Sequence, residues 1–332
     1  MRTEELLGAL VGAALLLAAG DARAACRTMA CPLPPDFSPQ PDACIPPDFS
    51  SWCASQNPPA KPIPVWWANA CVGYDIQENA SKQVPYDVAD RMFAAAFAKW
   101  TSVDCPGASS SEATGRVSID VRDLGPVSCD RVQYNQDQGN QHVIIFHDDA
   151  WPYNDSNNTL GLTTITYDPD TGEIYDADME INATVPLTVG DPVPKDGYDF
   201  ESIITHESGH FLGMAHSGDE RATMYAHYAL GTTTMRVLAA DDVGGLCSIY
   251  LPNGGRVVDP SVTLDGSGKM PAGSCDPTPR HGFSTECAQA PSKGCDVSGS
   301  GAPDGGESLG VGAGLGLAAA AGMGFGKRRR KT

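Results

Sequence analysis

The sequence predicts an α+β fold, and three observations carry that reading. Apolar residues alternate in several short runs and recur at helical spacing in others. These runs come in the order strand, long helix, strands, hairpin and two closing helices. Between a Pro/Cys-rich start and a Gly/Pro/Ser-rich end lies a stretch, residues 63–252, long enough for a single domain with a sizeable core.

The elements follow in order. VWWANACVGYDI (65–76) alternates as a strand does, and VPYDVADRMFAAAFAKW (84–100) has helical spacing with Pro85 near its start. RVSIDV (116–121) and HVIIFH (142–147) read as further strands. LGLTTITYDPDTGEIYDADMEIN (160–182) reads as two strands joined by the turn DPDTG, a hairpin signal. A helix from about Phe200, a tight turn, and a last helix in LAADDVGGLCSIYL (238–251) complete the stretch.

The formal charge is −19, from 41 acidic against 22 basic residues, and five of the basic residues crowd the last six positions. The body is therefore more acidic still, which argues against a nucleic-acid partner. The start reads as a secretory signal peptide over 1–24. Leu6 to Gly20 is an apolar run too short for a typical span, and Ala22, Arg23 and Ala24 form an AxA cleavage site. Cys26 as a lipoprotein site is the less favoured alternative. Eleven cysteines in an exported chain point to disulfides, with one to spare.

Four of the seven histidines lie in THESGHFLGMAHSGDERATMYAHY (205–228). His206 and His210 are four apart, so on a helix they share one face and can grip one metal ion. Gly213 stands where a glycine in the left-handed conformation stops a helix, letting the chain double back and bring in His216. Three imidazoles and an open fourth position describe a catalytic zinc site, with Glu207 placed to hold a water and take its proton. The bland alternatives are chance spacing and a closed structural zinc, but a closed site wants cysteines or a fourth ligand in this stretch, and there is none.

HESGHFLGMAHS followed by Met224 in ATMYAHY resembles the metzincin zinc endopeptidases and, within them, the matrixins, to which the matrix metalloproteinases belong. Ser217, Asp219 and the position of Met224 favour that branch. The resemblance implies a twisted, mostly parallel sheet with one antiparallel edge strand, an active-site helix, a Met-turn and a C-terminal helix. It implies zinc held by His206, His210 and His216, with Glu207 as general base, and a protein or peptide substrate bound along the edge strand LGLTTITY. Met224 would lie under the metal, which ordinary core packing also accounts for. Tyr228 would fall in the wall of a substrate pocket. Ala226 stands where the family usually has proline and where astacin-like relatives have a tyrosine ligand. Asp241 and Asp242 match a pair that supports the Met-turn; as a solvated helix start they would also suit the dipole.

Residues 25–62 repeat PPDFS and look like disulfide-stapled loop. CIPPD, from Cys44, resembles in part the cysteine switch of matrixin propeptides, with a plain disulfide as the alternative. DDAWPYNDSNN (148–158) has oxygen ligands enough for calcium, and is equally an acidic loop without an ion. His142 and His147 do not match the spacing of the family's second zinc site. Residues 253–294 read as a linker in which Cys275 and Cys287 suggest one small loop. From Cys295 to the end, a Gly/Ala-rich run (308–326) and KRRRK resemble the C-terminal sorting tails of myxobacterial surface proteins, the expected membrane contact; a low-complexity tail is the alternative. The expectation is an exported or surface zinc endopeptidase of a bacterium. Its rival is an adhesion or peptide-binding module with a structural zinc.

Overall fold

The computed structural model describes residues 27–30, 63–106, 115–153, 159–168, 171–256 and 276–288, with the backbone of 316–317 and 324–325. The expected signal peptide, Cys44, residues 154–158, Cys275, Cys295 and nearly all of the C-terminal run lie outside the described residues. Among the described residues no helix is long and apolar enough to cross a membrane.

The principal strands are β1 (Cys71–Gln77), β2 (Asp120–Val127), β3 (Val143–His147), β4 (Gly161–Tyr167) and β5 (Ile174–Asn182). The helices are α1 (Tyr86–Thr101), α2 (Phe200–Phe211) and α3 (Ala240–Ile249). Across the sheet the order is β4, β5, β3, β1, β2. All neighbours run parallel except β4, which is antiparallel to β5 over its whole length, from Gly161 opposite Ile181 to Tyr167 opposite Ile174. Among the described residues the far side of β4 is paired only at its last two residues, Thr166 and Tyr167, by Gly316–Leu317 running antiparallel. This is the mostly parallel sheet with an antiparallel edge strand that the sequence implies.

Helix α1 forms because Ala89, Phe93, Ala96, Phe97 and Trp100 fall on one stripe, with Asp87 in the first turn and Lys99 in the last suiting the dipole. That stripe packs on the sheet and on α2: Phe97 meets Tyr74 and Phe211 at ring-centroid distances of 4.8 and 5.1 Å, and Phe93 meets Phe200 at 6.0 Å. Trp100 is fully buried beneath α2 and donates its indole N–H to Thr205 O at 2.8 Å. Burying side chains of this size contributes about 2–3 kcal/mol each. The platform under α2 is therefore stiff.

Three details differ from the sequence reading. The first strand starts at Cys71 rather than Val65, because Trp66 instead bridges to Glu173. The strand expected at 116–121 lies at 120–127: Val117 and Ile119 are buried, but the backbone of 117 and 118 is bound to Val103 and Tyr250, and β1 fixes where β2 begins. Cys287 does not close a loop with Cys275. It is bonded to Cys129, and a second bridge joins Cys105 to Cys247. Two pieces of the expected linker are also packed on the domain. Arg256 is buried, donating to Trp67 O, Asn69 O and Ser118 O, and residues 276–288 pack on the sheet face that carries Gly73 and Tyr175, with Pro277 O against Gly73 and Arg280 over the Tyr175 ring.

That covered face carries carboxyls. Asp75, Asp176 and Asp178 alternate with core residues along β1 and β5, a pattern that reads as solvent-facing, yet all three are buried. Asp178 accepts from Gln133 N and Val143 N, whereas neither oxygen of Asp75 has a hydrogen bond of normal geometry. Burial pushes Asp75 and Asp178 up to about 8, and Asp176 well above the usual carboxylate range. A carboxyl whose pKa folding raises opposes folding once the unfolded chain can release its proton. The penalty is absent below about pH 4, grows as pH rises toward 8, and then levels. Asp75→Asn is therefore expected to match the parent in urea unfolding at pH 4 and to exceed it by about 1–3 kcal/mol at pH 8. An equal difference at both pH values would contradict this account.

Candidate metal and catalytic site

Helix α2 starts where Asp199, its N-cap, accepts from Ser202 N at 3.0 Å. Arg236 clamps the same carboxylate through Nε and Nη2 at 2.7 and 2.6 Å. The helix ends at Gly213, whose φ of +87° is a left-handed value that favours glycine. Beyond it the chain turns back, and Ser217 N donates to Met224 O at 2.7 Å, which sets His216 opposite the helix.

The three expected ligands come together. His206, His210 and His216 are buried, their ligand nitrogens lie within 4.8 Å of one another, and among the described residues no other such group of His, Cys, Asp or Glu occurs. Ring centroids are 4.7, 4.8 and 5.3 Å apart. His206 Nδ1 is 2.7 Å from Thr223 O and His210 Nδ1 is 2.8 Å from Met214 O. With each Nδ1–H donating to a carbonyl, both Nε2 atoms carry lone pairs, and these face each other at 3.0 Å. Two acceptors at that separation repel unless they share a cation. Burial also holds both imidazoles unprotonated, lowering His206 well below its ordinary value and His210 to about 4. The donor set is thus neutral nitrogen of the kind zinc takes, and it fits that ion.

Glu207 is fully buried beside the ligands. Its Oε2 accepts from Thr163 Oγ1 of β4 at 2.8 Å, while Oε1 has no hydrogen-bond partner. Gly161 leaves the room for it: a Cβ there would sit 2.6 Å from Oε1. Burial pushes this carboxyl up to about 8, against the Thr163 hydroxyl, which lowers it. A nearby dication would act in the same direction as that hydroxyl.

Met224 is buried against the active-site helix: a Cβ on Gly209 would run into its sulfur and lie 2.7 Å from Trp100 Cζ2. The turn holding Met224 rests on Asp242, whose carboxylate accepts from Thr223 N, Met224 N and Ala239 N at 2.8, 3.0 and 2.7 Å. Asp241 accepts from Ser217 Oγ. The acidic pair is therefore part of the site's support, not a solvated helix start. Tyr228 is buried, and its hydroxyl accepts from Asp199 N and donates to Thr232 O, tying the segment after the turn to the start of α2. His142 sits in the core against Trp67, and His147 pairs with Glu180. In the loop expected to suit calcium, Asp148 accepts from Ser81 Oγ and Asp149 pairs with Lys82.

The sequence reading missed Thr163, Gly161 and Trp100 as parts of the site. Strand alternation puts Thr163 on the helix side of β4, but only the register of β4 against α2 brings it to Glu207.

Comparison with known proteins agrees with this geometry. The matrixin family model matches residues 65–251. The chain is 31% identical over 129 residues to neutrophil collagenase of Homo sapiens, an alignment covering 36% of this chain and 26% of that one. It is 32% identical over 123 residues to metalloendoproteinase 1-MMP of Arabidopsis thaliana, covering 36% and 29%, and 35% identical over 104 residues to matrilysin of Homo sapiens, covering 31% and 36%. The chain thus spans about a third or less of the length of these relatives.

Proposed function

Because the chain belongs to the matrixin family, whose members are zinc-dependent endopeptidases, we propose that it hydrolyses peptide bonds in extended protein segments, with Glu207 as general base. The observation that carries the reading is the convergence of three buried imidazoles beside a buried carboxylate that has one oxygen anchored and one free.

His206, His210 and His216 would hold zinc. Bound there, the ion would polarise the scissile carbonyl and acidify a water. Glu207 Oε1 would take the proton of the water as its oxygen adds to the carbonyl carbon and pass it to the amine nitrogen as the C–N bond breaks, while Thr163 keeps Oε2 in place. Along Gly161–Ile165 the outer side of β4 has no pairing among the described residues, and an extended substrate adds there as an antiparallel strand. The pairing of Gly316–Leu317 with Thr166 and Tyr167 supports this, since that edge already takes a strand. The apolar run at 6–20 and the disulfides Cys105–Cys247 and Cys129–Cys287 support export, and the sequence from Cys295 supports a surface-sorting tail.

The experiment is digestion of denatured casein with and without a zinc chelator. Cleavage that chelation abolishes and added zinc restores is the expected result. Chelator-insensitive cleavage, or none by correctly processed protein, would favour a peptide-binding module with a structural zinc.

A further inference from the structure

We propose that residues 276–288 position the substrate, acting through Arg280 on the turn end of the β4–β5 hairpin; the proposal rests on the peptidase reading of the site. The covering segment is firmly held. Asn140, which is buried, donates its backbone N–H to Gly282 O at 2.8 Å and its side-chain amide to Arg280 O at 2.7 Å, and accepts from Ser284 N at 3.0 Å. The Cys129–Cys287 bridge anchors the end of the segment.

From this base Arg280 reaches the hairpin. Its guanidinium carbon lies 3.8 Å from the centroid of the Tyr175 ring, and its Nη1 is 3.6 Å from Glu173 Oε1. Tyr175 is in β5, and its hydroxyl donates to Asp168 Oδ2 at 2.6 Å. Asp168 directly follows β4. Its backbone N–H donates to Glu173 O, and its carbonyl accepts from Gly172 N. Tyr134 stacks on the Tyr175 ring at 6.0 Å, and its hydroxyl lies 3.3 Å from His281 Nε2. A chain of contacts thus runs from the cover to the end of the edge strand.

The two ends of β4 are therefore fixed by different means. Gly161 and Thr163 abut Glu207 on the catalytic helix, whereas Thr166 and Tyr167 depend on the turn that Arg280 holds. A strand rises about 3.3 Å per residue, so only a long substrate reaches the far end, where it displaces Gly316–Leu317 from Thr166 and Tyr167. Loss of Arg280 should loosen the far end and leave the chemistry untouched.

The test uses the full chain with Arg280→Ala and Arg280→Lys, and two peptides sharing one cleavage site, about ten and about four residues long. For the long peptide Arg280→Ala is expected to raise KM about three- to tenfold with kcat little changed, and for the short one to change neither. Arg280→Lys, which keeps a cation over the ring, should recover part of the loss. Amide hydrogen exchange in a Glu207→Ala background reads the same clamp without activity: exchange should quicken at 166–168 and stay unchanged at 161–163 and 200–211. KM rising equally for both peptides, or unchanged exchange at 166–168, would overturn the proposal. If neither peptide is cleaved by the parent chain but the exchange shift is seen, the peptidase reading fails and the clamp stands.

Discussion

Glu207→Ala is expected to retain zinc and to cleave denatured casein about 10²- to 10⁴-fold more slowly than the parent. The expectation follows from the division of labour in the site. His206 and His210 take their orientation from backbone carbonyls of Thr223 and Met214, and neither contact involves Glu207. Removing the carboxylate therefore leaves the metal-binding geometry in place. What is lost is the one acceptor poised to receive a proton: Oε1, unbonded and walled by Gly161, with Oε2 tethered to Thr163. Glu207→Gln keeps the shape and the Thr163 contact but lacks the basicity, so it should be nearly as slow. Turnover measured on protein of known zinc content checks both variants. Parental turnover in a zinc-loaded variant would show that another group takes the proton.

Asp242→Ala should be the most damaging change away from the ligands. Its carboxylate is the shared acceptor for three backbone N–H groups, two of them in the turn that carries Met224. Burial raises this carboxyl's pKa, and the three N–H donors act to lower it, so the native arrangement depends on those bonds. Without it three donors are left unsatisfied in or near the interior, at about 1–3 kcal/mol each, and the total is on the order of 3–5 kcal/mol once the turn relaxes. The effect then passes to the metal site. Thr223, whose N–H donates to Asp242, supplies the carbonyl that orients His206. Zinc affinity should accordingly fall about 10- to 100-fold, the usual consequence of losing a group that orients a ligand. Calorimetry with saturating zinc and competition with a chromogenic chelator measure the two effects separately. Asp242→Asn, which keeps one acceptor oxygen, should fall between. Unchanged zinc affinity in a destabilised Asp242→Ala would break the link between the turn and His206.

Much of this site can be read in the sequence because its logic is local. Histidines four apart on a helix share a face whatever surrounds them, and Gly213 marks the turn that returns His216. The Met-turn and the aspartate pair follow within a few tens of residues. The hairpin was legible for the same reason, since its two strands are neighbours in the chain.

What escaped depends on distant partners. Thr163 and Gly161 matter only because β4 is set against α2; alternation within LGLTTITY gives Thr163 a face of the sheet but not Glu207 as its partner there. Cys287 pairs with a cysteine 158 residues away, which spacing near the C-terminus cannot reveal. Asp75, Asp176 and Asp178 follow the alternation of a solvated sheet face but are buried, and a Pro- and Gly-containing segment from beyond the matched family region packs beside them, at Gly73 and Tyr175. Composition made that segment look like a linker. Its structure comes from a disulfide, a buried asparagine and an arginine stacked on tyrosine, none of which has a periodic signature.

The central claim is that a trio of imidazoles holds one catalytic dication. Zinc content per chain, measured by mass spectrometry on the purified parent and on His210→Ala, tests it most directly. The account predicts about one zinc in the parent and loss of most of it in the variant, since two nitrogens and a water hold the ion far less tightly than three converging rings. A parent that takes up no zinc from a zinc-containing buffer, or a His210→Ala protein that binds it as fully as the parent, would contradict it.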